Sequence, residues 1–136
     1  MNTKKYIYLN SRDEFYRLDI SKIVYFESDG NYTHIILNNK MKATVCMNLA
    51  QMKGILKESL KDNSGKFARI GKRHIINLSF VYHIAILRQR LVLSDGQNFD
   101  YHISVSKEAL KQLRDMYMAS LSQASDKSVT ELNENQ

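Results

Sequence analysis

The 136-residue chain carries 20 Lys and Arg against 14 Asp and Glu, a formal net charge of +6, with 43% hydrophobic residues and one cysteine, Cys46. Such a length predicts one compact domain with a real core. The lone cysteine rules out an intramolecular disulfide, and no run is apolar for long enough to make a signal-peptide core or a membrane span, so the chain reads as cytoplasmic with no membrane partner.

Short runs rich in β-branched and aromatic residues follow one another from the N-terminus. Tyr6–Leu9 and Phe15–Leu18 read as strands around a polar turn at Asn10–Asp13. Ile23–Glu27 and Tyr32–Leu37 read as a hairpin closed by Asp29-Gly30-Asn31. Lys42–Met47 is a further strand, and Cys46, inside it, is expected to be buried core with no activating neighbour. Leu49, Met52, Leu56 and Leu60 then share one helical face, with Asn48 as N-cap and Gln51 placed to close a capping box. Strand patterns resume at Phe67–Ile70, Ile75–Leu78, Val81–Leu87, Arg90–Ser94 and Phe99–Ile103, with turns at Arg88-Gln89 and Asp95-Gly96. A second helix starts near Ser106 and runs towards Leu121, placing Leu110, Leu113, Tyr117 and Leu121 on one face, with Val105 stapled onto Leu110. The folded domain is therefore assigned to residues 1–121, and residues 122–136 to a disordered polar tail. That tail holds Lys127 against Asp126, Glu131 and Glu134, so the domain is more basic than the whole chain. The fold class is mainly β and mainly antiparallel, with one internal helix and one C-terminal helix.

The strongest chemical signal is a charge desert of one sign. No carboxylate stands between Asp62 and Asp95, whereas the interval holds Lys66, Arg69, Lys72, Arg73, Arg88 and Arg90, with His74 and His83. An acid-free stretch leaves positive potential for an anion to neutralise, and a phosphate backbone does so by releasing condensed counterions. The bland alternative is an ordinary solvated face. Gly71-Lys72-Arg73-His74 is the densest cluster, at a junction between two strand patterns where a loop is expected. Arg73 suits a guanine edge or a phosphate, and Lys72 offers a point charge; a tight turn with basic decoration explains the same residues. Asp29-Gly30-Asn31 is explained by the turn alone, but Tyr32, Thr33 and His34, at the rim of the second hairpin, form another hydrogen-bonding group within reach of a groove, although His34 is equally a solvent-facing strand residue. Catalytic constellations are missing: the four histidines lack metal-ligand spacing, and there is no phosphate-binding glycine loop, nucleophile elbow or aimed carboxylate pair. No catalytic, metal or cofactor site is assigned.

These pieces, taken together, resemble the LytTR family of bacterial DNA-binding domains. The motifs that carry the resemblance are Ile23-Val24-Tyr25-Phe26-Glu27-Ser28, Gly30-Asn31-Tyr32-Thr33, Asn48-Leu49 with Leu56, Phe67-x-Arg69-Ile70, Ile75-Ile76-Asn77-Leu78, Asp95-Gly96 and Val105-Ser106-Lys107, in the family's order over roughly residues 6–115. The resemblance implies stacked small antiparallel β-sheets that use loops, not a recognition helix, in successive major grooves. It also implies sequence-specific binding to double-stranded DNA at promoter sites, in repeated half-sites, as the output domain of a bacterial transcription regulator. By resemblance, the contacts fall at Asn31, Thr33 and His34, at Arg69, Gly71, Lys72 and Arg73, and at Ser106 and Lys107. Relatives commonly show His-Arg-Ser where this chain has Gly71-Lys72-Arg73, which puts the bases read there in question. The resemblance begins almost at Met1, implying a stand-alone domain without the receiver many relatives carry; a homodimer on DNA and a regulatory partner protein stay open. The main competing reading is a protein-interaction or sensory β module with an incidental basic face. An RNA-binding domain is disfavoured by the absence of interleaved sheet aromatics.

Overall fold

The structure is a computed structural model, which describes residues 5–60 and 66–123. Ten strands and two α-helices are formed among the described residues: β1 (Tyr6–Ser11), β2 (Glu14–Asp19), β3 (Ile23–Asp29), β4 (Tyr32–Leu37), β5 (Lys42–Val45), α1 (Leu49–Leu60), β6 (Phe67–Ile70), β7 (His74–Asn77), β8 (Val81–Ala85), β9 (Arg90–Ser94), β10 (Asp100–Ser104) and α2 (Lys107–Gln123). They make three antiparallel sheets: the β1-β2 hairpin, a five-stranded sheet in the order β5-β4-β3-β7-β6, and a three-stranded sheet in the order β10-β9-β8.

The five-stranded sheet is covered on both faces, so β7 is buried along its whole length and β3 is buried or half-buried over its apolar first half, Ile23–Phe26. Successive strand residues point to opposite faces. Ile75 joins one buried cluster and Ile76 the other. Val24 and Phe26 of β3, two residues apart, also fall in different clusters, because the register of β3 shifts between Ile23 and Tyr25. One cluster lies under α1 and the first hairpin, drawing in Ile7, Leu9, Leu18, Met52 and Leu56. The other lies under α2 and the three-stranded sheet, with Leu91, Leu93, Val105, Leu110 and Leu113. Burying a Leu or Ile side chain contributes roughly 1.5–3 kcal/mol, so the two clusters hold the layers together. The capping box forms as expected: Gln51 N–H donates to Asn48 Oδ1 at 2.8 Å, and Asn48 N–H to Gln51 Oε1 at 2.9 Å.

Several boundaries differ from the sequence reading. The first turn is only Arg12-Asp13, because Asn10 pairs with Phe15 and Ser11 with Glu14. β5 stops at Val45, where the chain turns to give the Met47 carbonyl to a side chain of β4 and to place the α1 cap. Cys46 is therefore not a buried strand residue: it is half-buried, and the Arg12 guanidinium stands 3.7 Å from its Sγ. β8 ends at Ala85, leaving Leu87 exposed in a turn where Gln89 takes a φ of 54°. β10 begins only at Asp100, since the Asp95 carboxylate gathers the N–H groups of Gln97, Asn98 and Phe99 into a turn. Those bonds, led by Asn98, hold the Asp95 carboxyl below its ordinary range. α2 includes residues 122 and 123; the rest of the assigned tail, 124–136, lies outside the described residues.

Candidate nucleic-acid interface

Antiparallel register brings two turns to one end of the five-stranded sheet. β3 leaves that end through Asp29 and β4 enters it at Tyr32; β6 leaves it through Ile70 and β7 enters at His74. Because β3 pairs with β7, Glu27 lies opposite His74, and the Ser28 N–H donates to the Arg73 carbonyl at 2.9 Å. The Gly30-Asn31 and Gly71-Lys72-Arg73 turns are thus neighbours, although 39 residues of chain separate Asn31 from Gly71. Gly30 and Gly71 have φ values of +62° and +59°, a region that L side chains enter at a cost and glycine enters freely. A Cβ at Gly71 would meet nothing within 4 Å, so the glycine answers to backbone conformation and not to crowding.

Lys72 and Arg73 are exposed on this turn, and Arg69 donates to the Lys72 carbonyl at 3.3 Å, bracing its base. Arg73 is partly engaged at home. Its guanidinium lies 3.7 Å from Glu27 Oε2 and donates to the Ser28 carbonyl at 3.4 Å. Glu27 also accepts from His74 Nε2 at 3.1 Å. Burial pushes His74 below its ordinary value, outweighing the Glu27 bond, so the ring is neutral and its Nε2–H is the donor. The same burial raises Tyr25, beside it in the sheet, to about 12, with the Glu27 charge adding to the effect. The acid-free interval is therefore acid-free in sequence only, since β3 delivers one carboxylate into the cluster.

The first expected region divides. Asn31 and Tyr32 are exposed at the turn. Thr33 is a correction: it is fully buried, and its hydroxyl donates to the Met47 carbonyl at 2.7 Å, so it holds the chain leading into α1 and offers no surface to DNA. His34 is partly buried, with Nδ1 2.8 Å from Thr44 Oγ1 and Nε2 2.9 Å from Asp29 Oδ2. Both ring nitrogens are spent on neighbours, so contact with a base edge requires one of those bonds to break. The third region stands apart. Ser106 and Lys107 are exposed, the Ser106 hydroxyl accepts from the Ala109 N–H at 3.2 Å as the α2 cap, and Val105 N–H donates to Gln89 O at 3.1 Å. That bond sets the α2 entry beside the β8–β9 turn with exposed Arg88 and Arg90.

Two residues at the sheet end escaped the sequence reading. In sequence Glu27 reads only as a strand and family-motif residue, because pairing between residues 47 apart has no local mark. Arg12 stands in the first hairpin's turn and reaches the sheet end through Cys46; no charge cluster in the sequence flags it. Among the described residues, no group of His, Cys, Asp and Glu is placed to hold a metal, and no helix is long and apolar enough to cross a membrane.

The family model for the LytTr DNA-binding domain matches residues 13–118 of this chain. Among solved structures, the chain is similar to the LytTr DNA-binding domain of a protein described as a methyl-accepting/DNA response regulator from Bacillus cereus, with 18% identity, 85% of this chain and 98% of that chain covered, and a TM-score of 0.59. At that identity the likeness is one of fold. No curated protein matches the chain.

Proposed function

Because the chain belongs to the LytTR family of DNA-binding domains, we propose that it is a non-enzymatic, sequence-specific reader of double-stranded DNA, acting as a bacterial transcription regulator. The carrying observation is the convergence of the Asn31-Tyr32 and Lys72-Arg73 turns at one sheet end, tied by the Ser28–Arg73 backbone bond. From β4 to β6 the end spans three strand intervals, or roughly 14 Å at about 4.8 Å each. A major groove is about 12 Å wide, so the two turns suit one groove. Lys72 supplies a cation with no ion-pair partner among the described residues, and Arg73 an exposed one held only weakly by Glu27 at 3.7 Å. Arg69 and Gly71 shape the turn, and Asn31 adds an exposed amide able to accept and donate.

Ser106 and Lys107, with Arg88 and Arg90 nearby, form a second basic group suited to the backbone or to the next groove. Two such contact groups fit repeated half-sites, and a homodimer on DNA follows if each half-site takes one chain. Loop reading in place of helix reading is favoured by α1, whose apolar stripe is buried, leaving Lys53, Lys57 and Glu58 in mixed sign outside. The test is fluorescence anisotropy with labelled duplex DNA against duplex RNA of the same sequence, across a salt series. Preferred duplex DNA binding with a steep salt slope is the expected result; equal or absent binding overturns the reading. A protein-contact role draws support from one feature, the exposed stacked pair Tyr8 and Phe15 on the first hairpin, with centroids 6.2 Å apart.

A further inference from the structure

We propose that Arg12 is an additional phosphate contact of this chain, lying one residue ahead of the family-matched segment 13–118; the inference rests on the DNA-binding reading above. Arg12 occupies the first of two turn positions joining β1 to β2 and takes a φ of 58°, a left-handed conformation rare for a side chain of this size. Glycine would fit that backbone without strain, so the turn does not need an arginine. The side chain is exposed and buries no apolar surface of consequence. Its guanidinium lies 3.7 Å from Cys46 Sγ, and its charge is within electrostatic reach of Tyr32. Among the described residues no carboxylate is within ion-pair distance of it, although Asp13 and Glu14 follow directly.

Its position is held from below. The Cys46 N–H donates to the Ser11 hydroxyl at 2.8 Å, joining the hairpin to the chain segment just after β5. Val45 pairs with Thr33 at the same sheet end as Tyr32 and the Lys72-Arg73 turn. Arg12 is therefore a cation against the chain just past the end of β5, the edge strand of the sheet on the side away from β7. The two central turns already match one major groove in width. A side chain outside them lies over the bordering backbone and not over base edges, and a long guanidinium suits a phosphate there.

The test is anisotropy with a labelled duplex of mixed sequence, for which backbone contacts alone set affinity, using the full chain. Arg12→Gly relieves the backbone and removes the guanidinium. It should keep or raise the melting midpoint, weaken binding about three- to tenfold at low salt, and lower the slope of log K against log salt by about 0.9, the value of one phosphate contact. Arg12→Gln should weaken binding similarly, and Arg12→Lys should recover most of it, whereas Lys53→Gln on α1 should change nothing. Wild-type affinity and slope in Arg12→Gly and Arg12→Gln overturn the assignment while leaving the DNA-binding reading intact. A wild-type chain that binds no duplex overturns both.

Discussion

Reversing Lys72 and Arg73 together to Glu tests the sheet-end interface most directly. Lys72 is exposed with no ion-pair partner among the described residues, so its loss removes one contact without disturbing the fold. Arg73 is different: with its guanidinium 3.7 Å from Glu27 Oε2, removing it also leaves the Glu27 charge to His74 alone. Two lost contacts at the low end of about 1–3 kcal/mol each give roughly 2 kcal/mol. Each new carboxylate repels a phosphate some 10 Å away by about 0.4 kcal/mol in water. The total, near 3 kcal/mol, corresponds to about a hundredfold loss of affinity. The salt slope should fall by about 1.8, for two phosphates no longer neutralised. Neutral variants separate the roles: Lys72→Gln should weaken all duplexes alike if Lys72 meets phosphate, whereas a flattened preference for a selected site marks base reading. Arg73→Gln should be partly rescued by Glu27→Gln, which removes the carboxylate that Arg73 had screened. The circular dichroism spectrum should not change, because the turn holds no core residue. Unaltered binding of a selected duplex by the Glu pair, in a folded chain, refutes the interface and returns the basic turn to a solvated face.

His74 should make stability depend on pH. Its folded value lies below the ordinary 6.5, so between the two values the unfolded chain binds more protons. The melting midpoint should therefore drop as pH falls below 6.5, and His74→Gln should flatten that slope; an unchanged slope would mean that His74 does not titrate differently on folding. Asn48→Ala breaks one half of the capping box and should cost about 1 kcal/mol by chemical denaturation, with DNA affinity per folded molecule unchanged. Lys57→Gln, on the solvent side of α1, should alter DNA affinity less than twofold in anisotropy; a tenfold loss would place α1 at the interface.

The sequence by itself settled what local chemistry repeats or punctuates. Leu49, Met52, Leu56 and Leu60 mark a helical face, Asn48 and Gln51 mark its start, and Asp29-Gly30-Asn31 marks a hairpin turn. The acid-free interval points to the Lys72-Arg73 turn from composition and the junction of two strand patterns alone. Tertiary structure decided what depends on register. Thr33 stands beside exposed Tyr32 in the chain, yet alternation along β4 buries it and commits its hydroxyl to Met47. Strand pairing sets Glu27 against His74 and Arg73, adding a carboxylate to a cluster that looks purely basic in sequence. The end of β5 exposes part of Cys46 and brings Arg12 to the sheet end. Periodicity is written in neighbouring residues, because each turn or pleat repeats the same local geometry. Pairing between strands that the chain visits tens of residues apart is fixed only when two faces of one sheet must be buried at once, and that register chooses which side chains meet.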